Sequence, residues 1–212
     1  MPRPVRQPRR SDLAPEDREV YDNAVRRHHP DASPGEERDL GGYHGALLNS
    51  PPYSRLLEMG GATVRLVGET PGSYSHADRE FVDQVLSADF KTNIINKTHI
   101  PDGIAVGVRI EAIKALRYGH EEDLTEDEKF LTEYIRASVA GKLTDALWDR
   151  MERRLGVRGA VEYTLFINYL LMTIRNMQAL AGTEPSDSEI DQMLKELEEG
   201  TRELPDFRVR IR

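Results

Sequence analysis

The sequence predicts an all-α protein. Every long segment carries apolar residues at helical spacing. Ser and Thr capping signatures open several of these segments and glycines close them. Only the final residues, PDFRVRIR, alternate apolar and basic side chains with the period of an extended chain.

Residues 1–12 combine Pro with Arg3, Arg6, Arg9 and Arg10 and show no apolar period, so they read as a flexible basic arm. Pro15 suits a first helical position, and Val20, Tyr21 and Val25 give a weak stripe through a helix ending near His28. His28-His29 invites a metal, but adjacent helical residues point about 100° apart and are not expected to share one ion. The stretch HPDASPGEE that follows reads as loop. Tyr43 to Asn49 reads as a short helix. Pro51-Pro52 opens another, with Leu56, Leu57, Met59, Val64, Leu66 and Val67, until Thr70-Pro71-Gly72-Ser73 breaks it.

A helical hairpin is expected over residues 76–108. Ser75, three residues before Asp78, caps its first helix, which carries Phe81, Val82, Val85 and Leu86. Lys91, Thr92 and Asn93 form the turn, and the second helix carries Ile94, Ile95, Ile100, Ile104 and Val108, with Gly107 near its end. A helix from Arg109 to Tyr118 follows, stopped by Gly119. His120-Glu121-Glu122-Asp123 is a polar cluster able to take a metal, although acids before a helix more often serve solvation and the helix dipole. Thr125 and Glu128 form a capping box for a helix to Val139. Thr144 caps another, with Leu147, Trp148, Met151 and Leu155, ended by Gly156. Residues 160–181 are the most hydrophobic helix, expected to be buried nearly all round within the domain or in a subunit interface. Asn168 and Arg175 share a face of it and either line a cavity or meet interface partners. Ser186 and Glu189 open an acidic packing or oligomerisation helix carrying Ile190, Met193, Leu194 and Leu197.

The hairpin carries the candidate chemistry. Its turn centres near residue 89 or 90, so Glu80 and His99 lie at the same height on antiparallel helices. A carboxylate and an imidazole at one level supply general acid–base groups if they face each other. Rotation argues otherwise: His99 lies on an apolar stripe, whereas Glu80 falls outside the apolar arc, nearer Gln84 and Ser87, and is expected to face water. A core histidine beside a solvated glutamate is the alternative.

The spacing Glu80, eleven residues, Thr92, two residues, Ile95, three residues, His99 resembles the E-x11-C-x2-C-x3-H signature of alkylhydroperoxidase D-like proteins, members of the carboxymuconolactone decarboxylase family. Both cysteine positions are replaced, by Thr92 and Ile95. The run YHGALLNSP from Tyr43 to Pro51, Arg79-Glu80, Pro101, Gly107-Val108 and Val161-Glu162 also look similar. The resemblance covers roughly residues 13 to 182. It implies an alkylhydroperoxidase D-like helical bundle, here with extra N-terminal and C-terminal segments over 1–12 and 183–212, and a homo-oligomer, commonly a trimer or hexamer. The aromatic-acid-aromatic patch that often precedes the histidine in this family reads Ile94-Ile95-Asn96, so the implied substrate differs from the family's type compound.

Composition narrows the chemistry further. At 212 residues the chain fits one domain, and 38% hydrophobic with 31% charged residues is a globular balance. No apolar run reaches the roughly 20 residues of a membrane span and no apolar segment follows Met1, so a cytoplasmic location is expected. There is no cysteine, which excludes disulfides, thiolate metal sites and thiol peroxidase chemistry. The net charge of −8 argues against nucleic acid as a partner.

The expected activity is that of a cofactor-independent, metal-free, decarboxylase-like lyase or isomerase acting on a small carboxylated or lactone-like molecule. His99 carries the proton, Glu80 orients or relays it, and Thr92, Asn96 and Lys97 contact the substrate. The alternative is a non-catalytic oligomeric scaffold or ligand-binding protein that retains the fold without the redox cysteines; Glu80 facing solvent would favour it.

Overall fold

The computed structural model describes residues 5–68, 70–180 and 184–206. These residues form helices joined by turns and short 3-10 segments, with no strand among them: α1 (Arg18–His28), α2 (Gly42–Leu47), α3 (Pro51–Val67), α4 (His76–Asp89), α5 (Asn96–Ala105), α6 (Ile110–Tyr118), α7 (Glu126–Val139), α8 (Asp145–Leu180) and α9 (Asp187–Glu198). The alternating tail at 207–212 lies outside the described residues. No helix among them is long and apolar enough to cross a membrane.

The chain divides into two compact units, Met1–Thr63 with Arg175–Thr183, and Val64–Ile174 with Glu184–Arg212. In the first, Tyr21, Ala24, Val25 and Leu48 form a core on which Leu13, Ala32 and Leu40 pack. From Gln7 onward, the segment expected as a mobile arm is a hydrogen-bonded strap. Gln7 Nε2 donates to the carbonyl of Arg38 at 2.7 Å, its Oε1 accepts from the Leu40 N–H at 2.9 Å, and Arg10 grips Asp22 with two bonds of 2.6 and 2.8 Å. A Cβ at Gly45 would meet Gln7 Oε1 at 2.7 Å. Glycine at that position lets the strap approach the α2 backbone.

In the second unit α4 packs against α5, α6 and α7. Its entry is fixed by a capping box in which Ser75 Oγ accepts from the Asp78 N–H and Asp78 accepts from the Ser75 N–H. All ten residues from Asp78 to Ser87 are buried. This corrects the expectation of an amphipathic α4 with Glu80 toward water. The apolar arc of Phe81, Val82, Val85 and Leu86 meets one set of neighbours, and the polar arc of Glu80, Asp83 and Gln84 meets α5.

The hydrophobic side of this unit is built on aromatic residues. Tyr74 contacts Tyr163 and Phe166, Tyr134 stacks on Tyr163 at 6.2 Å between ring centroids, and Tyr163 Oη donates to the carbonyl of Asp78 at 3.3 Å. Arg154 clamps the Asp78 carboxylate with bonds of 2.8 and 3.0 Å. Gly156, with φ 73° and ψ 168°, interrupts α8 where the sequence ends one helix and begins another. Beyond that kink α8 is not buried all round. It covers Gly159, Ala160, Tyr163, Phe166, Ile167, Leu170 and Ile174 but leaves Val157, Val161, Leu165 and Met172 exposed. Asn168 donates to Ser138 Oγ at 3.1 Å, and Arg175 to Gln178 at 3.1 Å. α9 buries Ile190, Met193 and Leu194 and is tied to α6 through Arg117, which meets Asp187 at 3.0 Å and Asp191 at 2.9 Å.

Candidate active site

Glu80 and His99 face each other. Their equal height follows from the hairpin turn, where Lys91 adopts a left-handed φ of 48° and the Thr92 N–H bonds back to the Ser87 carbonyl at 3.0 Å. His99 Nδ1 lies 2.8 Å from Glu80 Oε2 and 3.4 Å from Asp83 Oδ2. Glu80 and Asp83 are one helical turn apart on α4, so both carboxylates reach the same ring nitrogen. The second oxygen of Glu80 lies 3.3 Å from both Arg79 Nη2 and His76 Nε2, and Arg79 also bonds His76 and donates to the Arg65 carbonyl at 3.4 Å. Gly103 closes over the pair: a Cβ there would come within 3.5 Å of Glu80 Cβ. Glu80 and Asp83 side chains are each 2% exposed, whereas His99 keeps 22%. His99 Nδ1 is committed to the carboxylates, and Nε2 has no hydrogen-bond partner among the described residues. Nε2 is therefore the nitrogen offered outward.

Burial and charge act in opposite directions within this group. Burial raises Asp83 and the Glu80 charge raises it further, while His99 lowers it, leaving that carboxyl at about 7. Burial alone would lower His99, but Asp83 and Glu80 outweigh it and lift the imidazole to about 9. Glu80 is also opposed by burial, yet His99, His76 and Arg79 hold it well below the usual carboxylate range. Near neutral pH the group contains an ionised Glu80, a charged His99 and an Asp83 close to its titration point. Neighbouring groups pushed apart in this way are suited to acid and base roles at the same pH.

The other expected contacts lie elsewhere along the hairpin. Thr92 donates to Glu184 at 2.6 Å, and Asn96 donates to the Thr92 carbonyl at 3.3 Å and to Asn93 at 3.1 Å. Both line a cavity of about 390 Å³ with Gln84, Ser87, Ile100 and Arg117. Lys97 is exposed and does not line it. Gln84 links the two regions by donating to the His99 carbonyl at 3.2 Å. Elsewhere, Glu121 of the polar cluster at 120–123 is held by Arg136 at 2.6 Å. Asp83 is the member of this cluster that the sequence pattern missed. Its signal was the i, i+3 relation to Glu80, which carries weight only once that face of α4 is known to be buried. Glu80, Asp83 and His99 each place a donor atom within 4.8 Å of the others, and at 2.8 Å Nδ1 and the Glu80 oxygen are at hydrogen-bond distance.

No family model matches the chain, no curated protein matches it, and no solved structure matches it. The site therefore stands on its own geometry.

Proposed function

We propose that this chain is a cofactor-independent lyase or isomerase that moves protons on a small carboxylated or lactone-like substrate, a cysteine-free relative of the carboxymuconolactone decarboxylase and alkylhydroperoxidase D-like proteins. The observation that carries the reading is the 2.8 Å contact between buried Glu80 and His99 Nδ1, with Asp83 at 3.4 Å from the same nitrogen. A scaffold that had only kept the fold has no need of two desolvated carboxylates on one imidazole. Isolated buried charges are costly, and these are retained by mutual pairing.

His99, charged near neutrality, donates from Nε2 to the substrate atom where negative charge develops. The neutral imidazole that remains keeps its Nδ1–H on Glu80, which fixes the tautomer and leaves Nε2 ready to accept a proton in the return step. Asp83 sets the strength of the acid. Its anion holds the proton on His99, and its neutral form weakens that hold. Lyase and isomerase chemistry of this kind needs an electron sink within the substrate, such as a carbonyl beside the carbon that loses a proton or carbon dioxide. The homo-oligomer implied by the resemblance is part of the proposal, supported by the exposed apolar residues of α8.

The test is a panel of small β-keto acids and carboxylated lactones incubated in D2O and followed by NMR. Wild-type chain is expected to exchange or decarboxylate at least one of them. His99→Ala should abolish that turnover, and Glu80→Gln, which keeps the hydrogen bond and removes the charge, should lower it by roughly 10²-fold or more. Full activity in His99→Ala would sink the mechanism.

A further inference from the structure

A second cluster of ligating side chains lies in the other compact unit and plays no part in the proton chemistry. His28 at the end of α1, His44 in α2 and Glu58 in α3 each place one donor atom within 4.8 Å of the others. The imidazoles lie 4.1 Å apart between ring centroids, tilted by 47°, and His28 Nε2 is 4.0 Å from Glu58 Oε1. His28 Nε2, His44 Nδ1 and Glu58 Oε1 are all shut off from solvent. Glu58 Oε1 accepts no hydrogen bond among the described residues, and Arg27 comes no nearer than 4.0 Å to the other oxygen, spending its donor on the Glu58 carbonyl at 2.7 Å. A buried carboxylate oxygen in that position lacks the hydrogen-bond donor such groups normally have.

We propose that His28, His44 and Glu58 are the protein ligands of a divalent metal site of the Zn²⁺ class, with a fourth position left open. Two imidazole nitrogens and one carboxylate oxygen form a donor set that zinc and its neighbours accept, whereas magnesium and calcium prefer all-oxygen shells. Ligand atoms around a tetrahedral zinc lie roughly 3.3 Å apart. With every donor atom within 4.8 Å of the others, side-chain rotation must draw them together on the ion. The neighbouring His29 takes no part, because its Nε2 is engaged at 3.1 Å with the Asp39 carbonyl. The sequence argues against a His28-His29 pair, and the fold instead brings His28 to His44, sixteen positions on. An ion here joins three helices of one unit, so it binds the folded chain and not the unfolded one and raises its stability.

Full-length chain, freed of any affinity tag and stripped with a chelator, is titrated with Zn²⁺ by calorimetry. One ion per chain is expected with micromolar or tighter affinity, together with a higher melting temperature. His44→Gln and Glu58→Gln should each weaken binding at least tenfold, and His99→Gln should leave it unchanged. X-ray absorption on zinc-loaded wild-type chain should show two imidazole ligands, a readout that stands even if a variant fails to fold. No binding by folded wild-type chain, binding that survives both substitutions or disappears in His99→Gln, or a shell with fewer than two imidazoles each overturns the proposal.

Discussion

Asp83 changes what His99 can do. With Glu80 alone the imidazole would have one partner and one fixed charge; with Asp83 at 3.4 Å it has a second whose own proton is released near neutrality. The groups facing them are His76 and Arg79 on the same helix and Arg65 on α3. The charge of His99 is worth more to the folded chain than to the unfolded one, because its pKa rises to about 9 from the ordinary 6.5. That contribution is complete below about 6.5 and is lost as pH climbs through 9. Asp83, also raised, gives its contribution below its ordinary value of 3.8 and loses it by about 7. Glu80 behaves in the opposite sense, stabilising above its ordinary value of 4.5 and ceasing to do so in acid. Between pH 7 and 9 the wild-type chain should therefore lose stability, at up to about 1.4 kcal/mol per pH unit. His99→Gln should lack that alkaline slope, as read by urea unfolding across the range. An unchanged slope would mean that the proton is not held on His99. Asp83→Asn should move the proton-donating limb of the pH–rate profile to lower pH, because one of the two charges that lift the imidazole is gone.

At the scale of the element, helix identity and helix ends were legible in the sequence because caps are local. Ser75 with Asp78, Thr125 with Glu128 and Ser186 with Glu189 all form the boxes their spacing promised. Gly107, Gly119 and Gly156 all take positive φ at the ends assigned to them. Orientation was less legible, since a hydrophobic arc shows which face is buried only if the opposite face meets water. For α4 that condition fails. Its polar face meets the polar side of α5, so Glu80 and Asp83 are hidden by partners that no pattern within α4 reveals. Residues 160–181 show the converse, since an all-round apolar helix is read as all-round buried although one stripe of it remains open. The strap at Gln7 depends on Arg38, Leu40 and Tyr21, all distant in sequence. The cap at α4 gives a quantitative check. Ser75→Ala removes the side-chain acceptor for the Asp78 N–H and should cost about 1 kcal/mol. For a chain of this size the melting temperature should fall roughly 2–4 °C. Catalysis at 25 °C should persist, because the cap lies beyond Asp78 from the reacting groups. A loss of turnover without a loss of stability would place Ser75 in the site instead.

For the whole molecule, the decisive feature is apolar surface that one chain leaves uncovered. Val157, Val161, Leu165 and Met172 are 58%, 41%, 64% and 40% exposed, and at roughly 100° per residue they fall within an arc of about 80° on the second half of α8. Single exposed apolar side chains are ordinary, but four on one arc over four turns of helix, interrupted only by the exposed Asn168, mark a face that meets another protein surface. A second copy of this chain is the simplest occupant, since α8 against α8 about a two-fold axis pairs the stripe with itself and cyclic assemblies place it against a neighbour. Light scattering at micromolar concentration should therefore give a mass well above the 24.1 kDa of one chain. Leu165→Glu puts a charge in the middle of the stripe and should shift the population toward monomer while the helical circular dichroism is unchanged, because Leu165 contributes little to the core of its own chain. An interface of standard size buries about 800 Å² per partner, so one central charge is expected to weaken association by several kcal/mol. A wild-type chain that scatters as a 24.1 kDa monomer would remove the homo-oligomer from the proposal, and an oligomer indifferent to Leu165→Glu would move the interface away from α8.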